Sequence, residues 1–283
     1  MPNDSTLVDR RERACFESLD GALPGDWRRL AAALAVRWRD AGPLRVALAG
    51  GQGAGKSTLA RAIVAACGYF DLRAVAMSID DFYRTRAARE RLGPAIHPLL
   101  ATRGPPGTHD VGLCESVLDA LTRAGEVAVP VFDKGVDDRA GRARRVAGPV
   151  DVALLEGWCV GARPQAAEAL RAPVNGLEAE VDADGRWRRY VNDALGGAYA
   201  RLFAGFDCLI FLRVPSLDAV RRWRLAQEAD RPADQRLDAA EVERFVAHYE
   251  RLTLWMLTDL PDRADVLVDL DEAHRVRNTA FRV

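Results

Sequence analysis

The sequence has few cysteines, no CxxC pair and no long apolar run. Its 283 residues include only five cysteines, which are scattered along the chain. An odd number of unpaired cysteines argues against a disulfide framework and is typical of reduced thiols, so we expect a cytoplasmic protein. The first residues are charged and lack the apolar segment of a secretory signal. No apolar run approaches the roughly 20 residues of a membrane span, and we therefore expect no membrane partner.

The sequence also lacks an excess of either charge. It has 40 Lys and Arg residues against 41 Asp and Glu residues, for a net charge of −1. Without a basic surplus there is no overall field that would attract nucleic acid, and we expect none as a partner. Hydrophobic residues make up 49% of the chain, which is enough to build a packed core.

Short apolar segments alternate with segments of helical periodicity along the chain. The predicted strands cover residues 44–49, 73–79, 126–132, 150–155, 207–214 and 264–270. The predicted helices cover residues 26–42, 57–67, 111–125, 186–204, 216–228 and 239–260. This alternation predicts an α/β fold with a doubly wound, mostly parallel sheet. A long insertion follows the second strand, and the polar segment 133–149 is predicted to be a loop.

A glycine-rich segment follows the first predicted strand. It reads GGQGAGKS and fits the pattern Gly-x-x-x-x-Gly-Lys-Ser of a P-loop, between a strand and a helix. Backbone N–H groups of such a loop surround phosphate oxygens, and the helix N-terminus adds partial positive charge. We expect Lys56 to reach the β- and γ-phosphates and Ser57 to bind Mg²⁺. The residues expected to bind the nucleotide are Gly50, Gly51, Gln52, Gly53, Ala54, Gly55, Lys56, Ser57 and Thr58.

Three acids lie at the ends of predicted strands. Asp80 and Asp81 end the second strand in "SIDDFY", and Glu156 ends the strand "VDVALL". Ligands of α/β sheets bind at the carboxyl ends of strands, so Asp80 is a candidate general base that contacts an acceptor hydroxyl. Asp81 and Glu156 are candidate Mg²⁺ partners beside Ser57. Alternatively, the two aspartates cap the helix that begins near Arg84, and Glu156 faces water.

Several motifs together resemble those of the D-glycerate 3-kinase family. They are "GGQGAGKSTLA", "SIDDFY", "HPLLATRGPPGTHD", "PVFDKGVDDR" and "LLEGWCVG". That family belongs to the phosphoribulokinase and uridine kinase branch of P-loop kinases. The resemblance implies a nucleoside-kinase-like fold, with ATP and Mg²⁺ as cofactors and a small hydroxy acid such as D-glycerate as acceptor. It also supports Asp80 as the general base and matches Glu156-Gly157 to the "EG" after a Walker-B-like strand.

We therefore expect one P-loop kinase domain over residues 1–283. Residues 1–43 would form an N-terminal helical extension, residues 84–149 a substrate-binding insertion, and residues 221–237 a lid region. Arg221 and Arg224 lie three residues apart at the start of this lid region and would stabilise the transferring phosphoryl group. Alternatively, both arginines belong to a solvated helix face.

A hydroxy acid needs a cation for its carboxylate. The candidates are Arg103, Lys134 and Arg139, and Thr108 and His109 are candidates to bind hydroxyl groups. A lone histidine is as often structural, so both readings of His109 stay open. The insertion has few rings near these cations, which favours a small acid over a nucleobase. The alternatives are a kinase for a nucleoside or a pantothenate-like alcohol, and a nucleotide-binding regulator or assembly ATPase.

Overall fold

The computed structural model describes residues 4–229 and 236–282, with residues 4–9 described by their backbone alone. The helices within this range are α1 Asp4–Ser18, α2 Gly25–Trp38, α3 Lys56–Tyr69, α4 Arg86–Ala95, α5 Val111–Ala120, α6 Gly176–Val181, α7 Arg186–Ala194, α8 Ala200–Ala204, α9 Leu217–Ala229 and α10 Ala239–Asp259. The strands are β1 Leu44–Gly50, β2 Ala74–Ser78, β3 Gly125–Asp133, β4 Asp138–Gly148, β5 Val152–Gly157, β6 Cys208–Arg213, β7 Val266–Leu270 and β8 Val276–Phe281.

Six strands form the main sheet, in the order β2-β5-β1-β6-β7-β8. The first five run parallel, and β8 pairs antiparallel to β7. The prediction of an α/β fold with a mostly parallel sheet is confirmed. Because β1 lies between β5 and β6, the glycine-rich segment after β1 emerges at the middle of the carboxyl edge, where α/β folds bind ligands.

Both faces of the central strands β5, β1 and β6 are largely buried, which explains why these strands are mostly apolar. Val46 and Leu48 of β1 pack with helices α2 and α3 on one face. Ala47 and Ala49 pack with α5 and α10 on the other. The sheet is thus held rigidly between two helical layers, and the residues at its carboxyl edge are fixed in place.

Residues 125–148 form a hairpin, β3 and β4, outside the main sheet. The prediction of a polar loop over residues 133–149 is wrong, and the strand predicted over 126–132 does not join the parallel sheet. The β4 residues are mostly exposed, so they lack the apolar alternation that marks a half-buried strand. The backbone N–H and C=O groups of β4 form hydrogen bonds with β3. Hydrophobic periodicity along the sequence does not reveal this pairing.

The strand predicted over residues 264–270 is not the last, because β8 follows it at the edge of the sheet. Its sequence, VRNTAF, is polar and only partly buried, and it carries a weak strand signal. In the expected lid region, residues 221–229 continue α9, and residues 230–235 lie outside the described part of the chain. None of the described helices is both long and apolar enough to span a bilayer.

Candidate active site

The glycine-rich loop curls around the side chain of its own lysine. The ammonium of Lys56 donates to the carbonyl oxygens of Gly50 and Gly51, at 2.9 and 3.0 Å. Gly53 and Gly55 have left-handed backbones, with φ of 79° and 88°, which glycine adopts without strain. No side chain caps the start of α3. The first N–H groups of a helix have no intrahelical partner, so this loop offers them to a phosphate.

Ser57 and Glu156 form a pair beside this loop. The Ser57 hydroxyl donates to Glu156 Oε1 at 2.7 Å, and Glu156 is almost fully buried at the end of β5. Hydroxyl and carboxylate oxygens are ligands that Mg²⁺ accepts, together with substrate phosphates and water. No group of three or more His, Cys, Asp or Glu side chains among the described residues could hold a metal alone. By the chemistry of their oxygen donors, Ser57 and Glu156 fit a magnesium ion.

Asp80 lies in a short 3₁₀ turn, Ile79–Phe82, directly after β2. Its Oδ2 accepts a 2.6 Å hydrogen bond from the ammonium of Lys134, and the Tyr83 hydroxyl also bonds to this carboxylate. Burial by itself would raise the pKa of Asp80, but the Lys134 charge and these hydrogen bonds outweigh it and lower that pKa. Asp80 is therefore ionised, as a proton acceptor must be.

Asp81 accepts hydrogen bonds from backbone N–H groups. Its two carboxylate oxygens accept from the backbone N–H groups of Ser78 and Phe132, each at 3.4 Å. Burial raises the pKa of Asp81, and its side chain does not line the cavity described below. Contrary to the expectation that it contacts Mg²⁺, Asp81 caps the 3₁₀ turn. The helix α4 has its own cap, Thr85.

A cavity of about 510 Å³ opens over the P-loop and Asp80. Its lining includes residues of the P-loop, Glu156 and two cations, Arg103 and Lys134. The lid arginine Arg224 also lines it. A second cavity of about 540 Å³, beside β6, β7 and β8, contains none of the predicted site residues. The P-loop cavity is therefore the candidate active site.

Arg103 is held in place at the cavity wall. Its guanidinium donates to the carboxylate of Asp137 and lies 5.6 Å from the ring centroid of Phe132. Asp137 is anchored in turn by the fully buried Arg89, at 3.0 Å. The Arg103 guanidinium is therefore presented to the cavity in a fixed orientation.

Three of the residues that were predicted to bind the acceptor substrate do not line the cavity. Thr108 is fully buried and donates to the Pro105 carbonyl at 2.7 Å, within its own turn. Arg139 bonds to the Tyr83 carbonyl and to Asp110, at 2.8 and 3.0 Å. These two residues hold the insertion together rather than face a substrate.

His109 is the third, and it lies behind the cavity wall. Its ring stacks on Tyr83 with centroids 4.4 Å apart, and its Nδ1 lies 2.6 Å from the Tyr199 hydroxyl. Burial lowers the pKa of His109 to about 4, so the ring is neutral at pH 7. His109 supports Tyr83, which itself bonds to Asp80.

The two lid arginines have different surroundings. Arg221 pairs with Asp218 and with two glutamates of α10, Glu243 and Glu250, at 2.8, 2.9 and 3.4 Å. It does not line the cavity, contrary to the expectation for both arginines. Arg224 lines the cavity, pairs with Glu228 and lies 5.0 Å from the ring centroid of Phe245.

Four aromatic side chains line the cavity. Three of them are Tyr83, Phe245 and Tyr249, which were not predicted as site residues. Gln227 also lines the cavity and was not predicted either. The fourth is Trp158, whose indole N–H donates to the Gly104 carbonyl at 3.1 Å. All four rings lie outside the insertion over residues 84–149, so the cations share the cavity with more rings than the insertion itself supplies. Phe245 and Tyr249 follow the apolar period of α10, so the sequence marked them as core residues.

Sequence and structure comparisons place these features among known kinases. No family model matches the chain. The chain is 33% identical over 226 residues to the uncharacterized kinase mug58 of Schizosaccharomyces pombe, covering 73% of this chain and 78% of that protein. It is 31% identical over 232 residues to the chloroplastic D-glycerate 3-kinase of Arabidopsis thaliana, covering 74% of this chain and 47% of that protein.

Among solved structures, D-glycerate 3-kinase from Cryptococcus neoformans matches with a TM-score of 0.70 at 23% identity, over 98% of this chain and 97% of that one. That match shows the shared fold. The sequence matches extend over most of this chain, and for the kinase from S. pombe over most of the relative as well. The chain is therefore an ATP-dependent kinase, it belongs to the same family as the kinase mug58, and its relatives include a D-glycerate 3-kinase.

Proposed function

We propose that this kinase transfers the γ-phosphate of ATP to a hydroxyl of a small hydroxy acid, with D-glycerate as acceptor and 3-phosphoglycerate as product. One observation carries the proposal. Two cations, Arg103 and Lys134, line the same cavity as Lys56, Ser57 and Asp80. A phosphate site, a carboxylate base and a cationic patch in one cavity suit an acceptor that has both a hydroxyl and a carboxylate. The names of the relatives in Arabidopsis and Cryptococcus support the same acceptor.

The nucleotide end of the cavity is built to receive phosphate charge. Burial lowers the pKa of Lys56, while the charges of Glu156 and Asp80 oppose that shift. A phosphate would replace the two backbone carbonyls as partner of the Lys56 ammonium, and such a charge-assisted contact is stronger. Lys56 thus binds the β- and γ-phosphates while the P-loop N–H groups surround them.

Ser57 and Glu156 would hold a magnesium ion at this end. When bound, Mg²⁺ neutralises charge on the β- and γ-phosphate oxygens. The hydrogen bond between the two side chains sets their orientation toward each other.

The transfer itself uses Asp80 and Arg224. The acceptor hydroxyl oxygen attacks the γ-phosphorus, its proton passes to the Asp80 carboxylate, and the bond to the β–γ bridging oxygen breaks to release ADP. Charge that develops on the transferring group is stabilised by Lys56 and by the Arg224 guanidinium, which lines the same cavity. Trp158 and the other three rings line the same cavity.

The acceptor end would hold the glycerate carboxylate between Arg103 and Lys134. Arg103 is pre-oriented by Asp137, and an arginine fork suits the two oxygens of a carboxylate. Lys134 contacts Asp80, so a carboxylate bound by Lys134 places its neighbouring hydroxyl groups near the base. The cations, rather than the scarcity of rings, favour an acid over a nucleobase.

The test is a screen of ADP release with D-glycerate, L-glycerate, glycerol, uridine and pantothenate at matched concentration. The product is identified by ³¹P and ¹H NMR. We expect D-glycerate to turn over fastest and glycerol to be very poor. Faster turnover of uridine or pantothenate would contradict the acceptor assignment and leave the kinase assignment intact. Steady ADP release without any acceptor would favour an ATPase.

A further inference from the structure

The base of the candidate active site carries a counter-ion of its own. The Lys134 ammonium lies 2.6 Å from Asp80 Oδ2, and 25% of the Asp80 side chain is exposed. A carboxylate that is paired with an ammonium is a weaker proton acceptor than a free one. The same lysine is one of the two cations proposed to bind the acceptor. The Asp80 carboxylate and the proposed substrate carboxylate would thus compete for the same Lys134 ammonium.

The two cations of the cavity differ in how firmly they are held. Arg103 is fixed by Asp137 and Phe132, as described above. Lys134 lies in the turn between β3 and β4, and 61% of its side chain is exposed. Among the residues that the structure describes, its one ion pair is with Asp80.

The backbone of this turn is held by hydrogen bonds, whereas the lysine side chain is mostly exposed. Asp133 accepts hydrogen bonds from the N–H groups of Gly135 and Val136, at 2.8 and 3.4 Å. The Lys134 Cα is therefore anchored, and its four-carbon stem can swing from Asp80 to a neighbouring anion within the cavity.

We propose that Lys134 is a specificity-determining residue, because it keeps Asp80 paired until the carboxylate of the acceptor takes up the ammonium. This inference rests on the proposed function, since it assumes an anionic acceptor and Asp80 as base. Beyond the proposed function, Lys134 would have a second effect, which is to suppress transfer of the phosphoryl group to neutral alcohols and to water.

Replacement of Asp80 by a substrate carboxylate beside the Lys134 ammonium explains why only an acidic acceptor would free Asp80 from its ion pair. When a carboxylate replaces Asp80 beside the ammonium, one charge-assisted hydrogen bond is lost and an equivalent one is formed. A neutral alcohol or water offers no such replacement, so reaction requires breaking the Lys134–Asp80 pair without compensation. The lowering of the Asp80 pKa by the Lys134 charge agrees with this, since a freed Asp80 is the stronger base.

The test compares Lys134→Met with Arg103→Met. Each removes one cation from the cavity and keeps a side chain of moderate length, but only Lys134 contacts Asp80. For each variant and the wild type, kcat and KM are measured with D-glycerate and with glycerol. The rate of ATP hydrolysis without acceptor is also measured. In that reaction a water oxygen attacks the γ-phosphorus, its proton passes to Asp80, and ADP and phosphate leave.

In Lys134→Met, we expect kcat for glycerol and for ATP hydrolysis to rise on the order of tenfold, as for loss of one charge-assisted hydrogen bond. The kcat/KM for D-glycerate should fall. In Arg103→Met, kcat/KM for D-glycerate should fall with no rise in the other two rates. Lys134→Arg, which keeps a cation at the turn, should restore low rates with glycerol and water.

Two results would overturn the inference. One is a Lys134→Met variant that binds Mg-ATP and melts like the wild type but shows no rise in either neutral reaction. The other is an equal rise in Arg103→Met, which would trace the effect to cavity charge in general. If D-glycerate is not a substrate of the wild type, the acceptor assignment fails. The hydrolysis rate of Lys134→Met still decides whether the lysine restrains the base.

Discussion

Ser57 and Glu156 are 99 positions apart in the sequence, and the Ser57 hydroxyl donates a 2.7 Å hydrogen bond to the Glu156 carboxylate. The contact arises because β1 and β5 are neighbours in the sheet, with Leu48 of β1 opposite Glu156. The P-loop follows β1 and leads into α3, so the first residues of α3 lie beside the end of β5. Sheet order thus brings the two proposed Mg²⁺ ligands together.

Glu156→Gln removes the charge from this pair while keeping a hydrogen-bond acceptor for Ser57. We expect the Mg²⁺ concentration for half-maximal activity to rise on the order of tenfold, because metal-site carboxylates contribute effects of that size. Binding of ATP without metal should change little. The measurement is a Mg²⁺ titration of kcat at saturating ATP. An unchanged titration would show that Glu156 is only a buried strand-end acid.

Lys56→Ala should reduce kcat by at least about 10²-fold, since it removes a cation from the transferring phosphate. Within the described part of the chain, the ammonium donates hydrogen bonds to two loop carbonyls and forms no ion pair within 4.0 Å, so the melting temperature should fall little. Steady-state kinetics and thermal melting are the two measurements. A variant with nearly normal kcat would remove the assignment of the P-loop as the nucleotide site.

Asp80→Asn should lower kcat by roughly 10² to 10⁴ with ATP binding retained, the usual range for loss of a general base. Asp81→Asn is the matched control on the adjacent residue. It keeps an oxygen that can accept a backbone N–H, so its kcat should stay close to the wild-type value. Activity of each variant is measured at saturating substrates, with ATP binding by calorimetry. The reverse pattern, an inactive Asp81→Asn and a normal Asp80→Asn, would overturn the assignment of the base.

The variants Arg224→Met and Arg221→Met should distinguish a role in phosphoryl transfer from a role in stability for the two arginines of α9. Arg224 lines the cavity, and its loss should lower kcat more than it raises KM for the acceptor. Arg221 is held by carboxylates away from the cavity, so its loss should leave kcat unchanged and destabilise the fold by about 1 kcal/mol at most. Kinetics and chemical denaturation test both. Wild-type kinetics for Arg224→Met would exclude its role in transfer.

The stability of the fold should depend on His109 in acid. Burial lowers the pKa of His109 to about 4, below its unfolded value of about 6.5. Between these values the unfolded chain binds the extra proton, so stability falls as the pH is lowered from about 6.5 toward 4. His109→Gln should therefore lose less stability over this range than the wild type. The measurement is the free energy of unfolding from pH 7 to pH 4.5. Parallel curves for the two proteins would contradict this role.

The features of the candidate site that the sequence could locate are local in the chain. The P-loop is one contiguous motif, and Asp80 and Glu156 each end an apolar run. Their meeting at one edge follows from the parallel sheet. Such features need no knowledge of how distant elements pack.

The features that sequence missed or misplaced depend on packing between distant elements. Arg221 and Arg224 are three positions apart on one helix, and only the docking of α10 decides that one meets glutamates and the other the cavity. Likewise, pairing with β3 carries Arg139 to Asp110, and the polar sequence of β4 gave no sign of it. Tyr249 has the spacing of a core residue, and it is one, but it also walls the cavity.

The most direct test of the proposed function is the product formed from D-glycerate and Mg-ATP, followed by ³¹P NMR. The account predicts stoichiometric ADP and 3-phosphoglycerate with the wild type, and neither product at a comparable rate with Asp80→Asn. The absence of any phosphorylated glycerate, with faster phosphorylation of uridine or pantothenate under the same conditions, would contradict it.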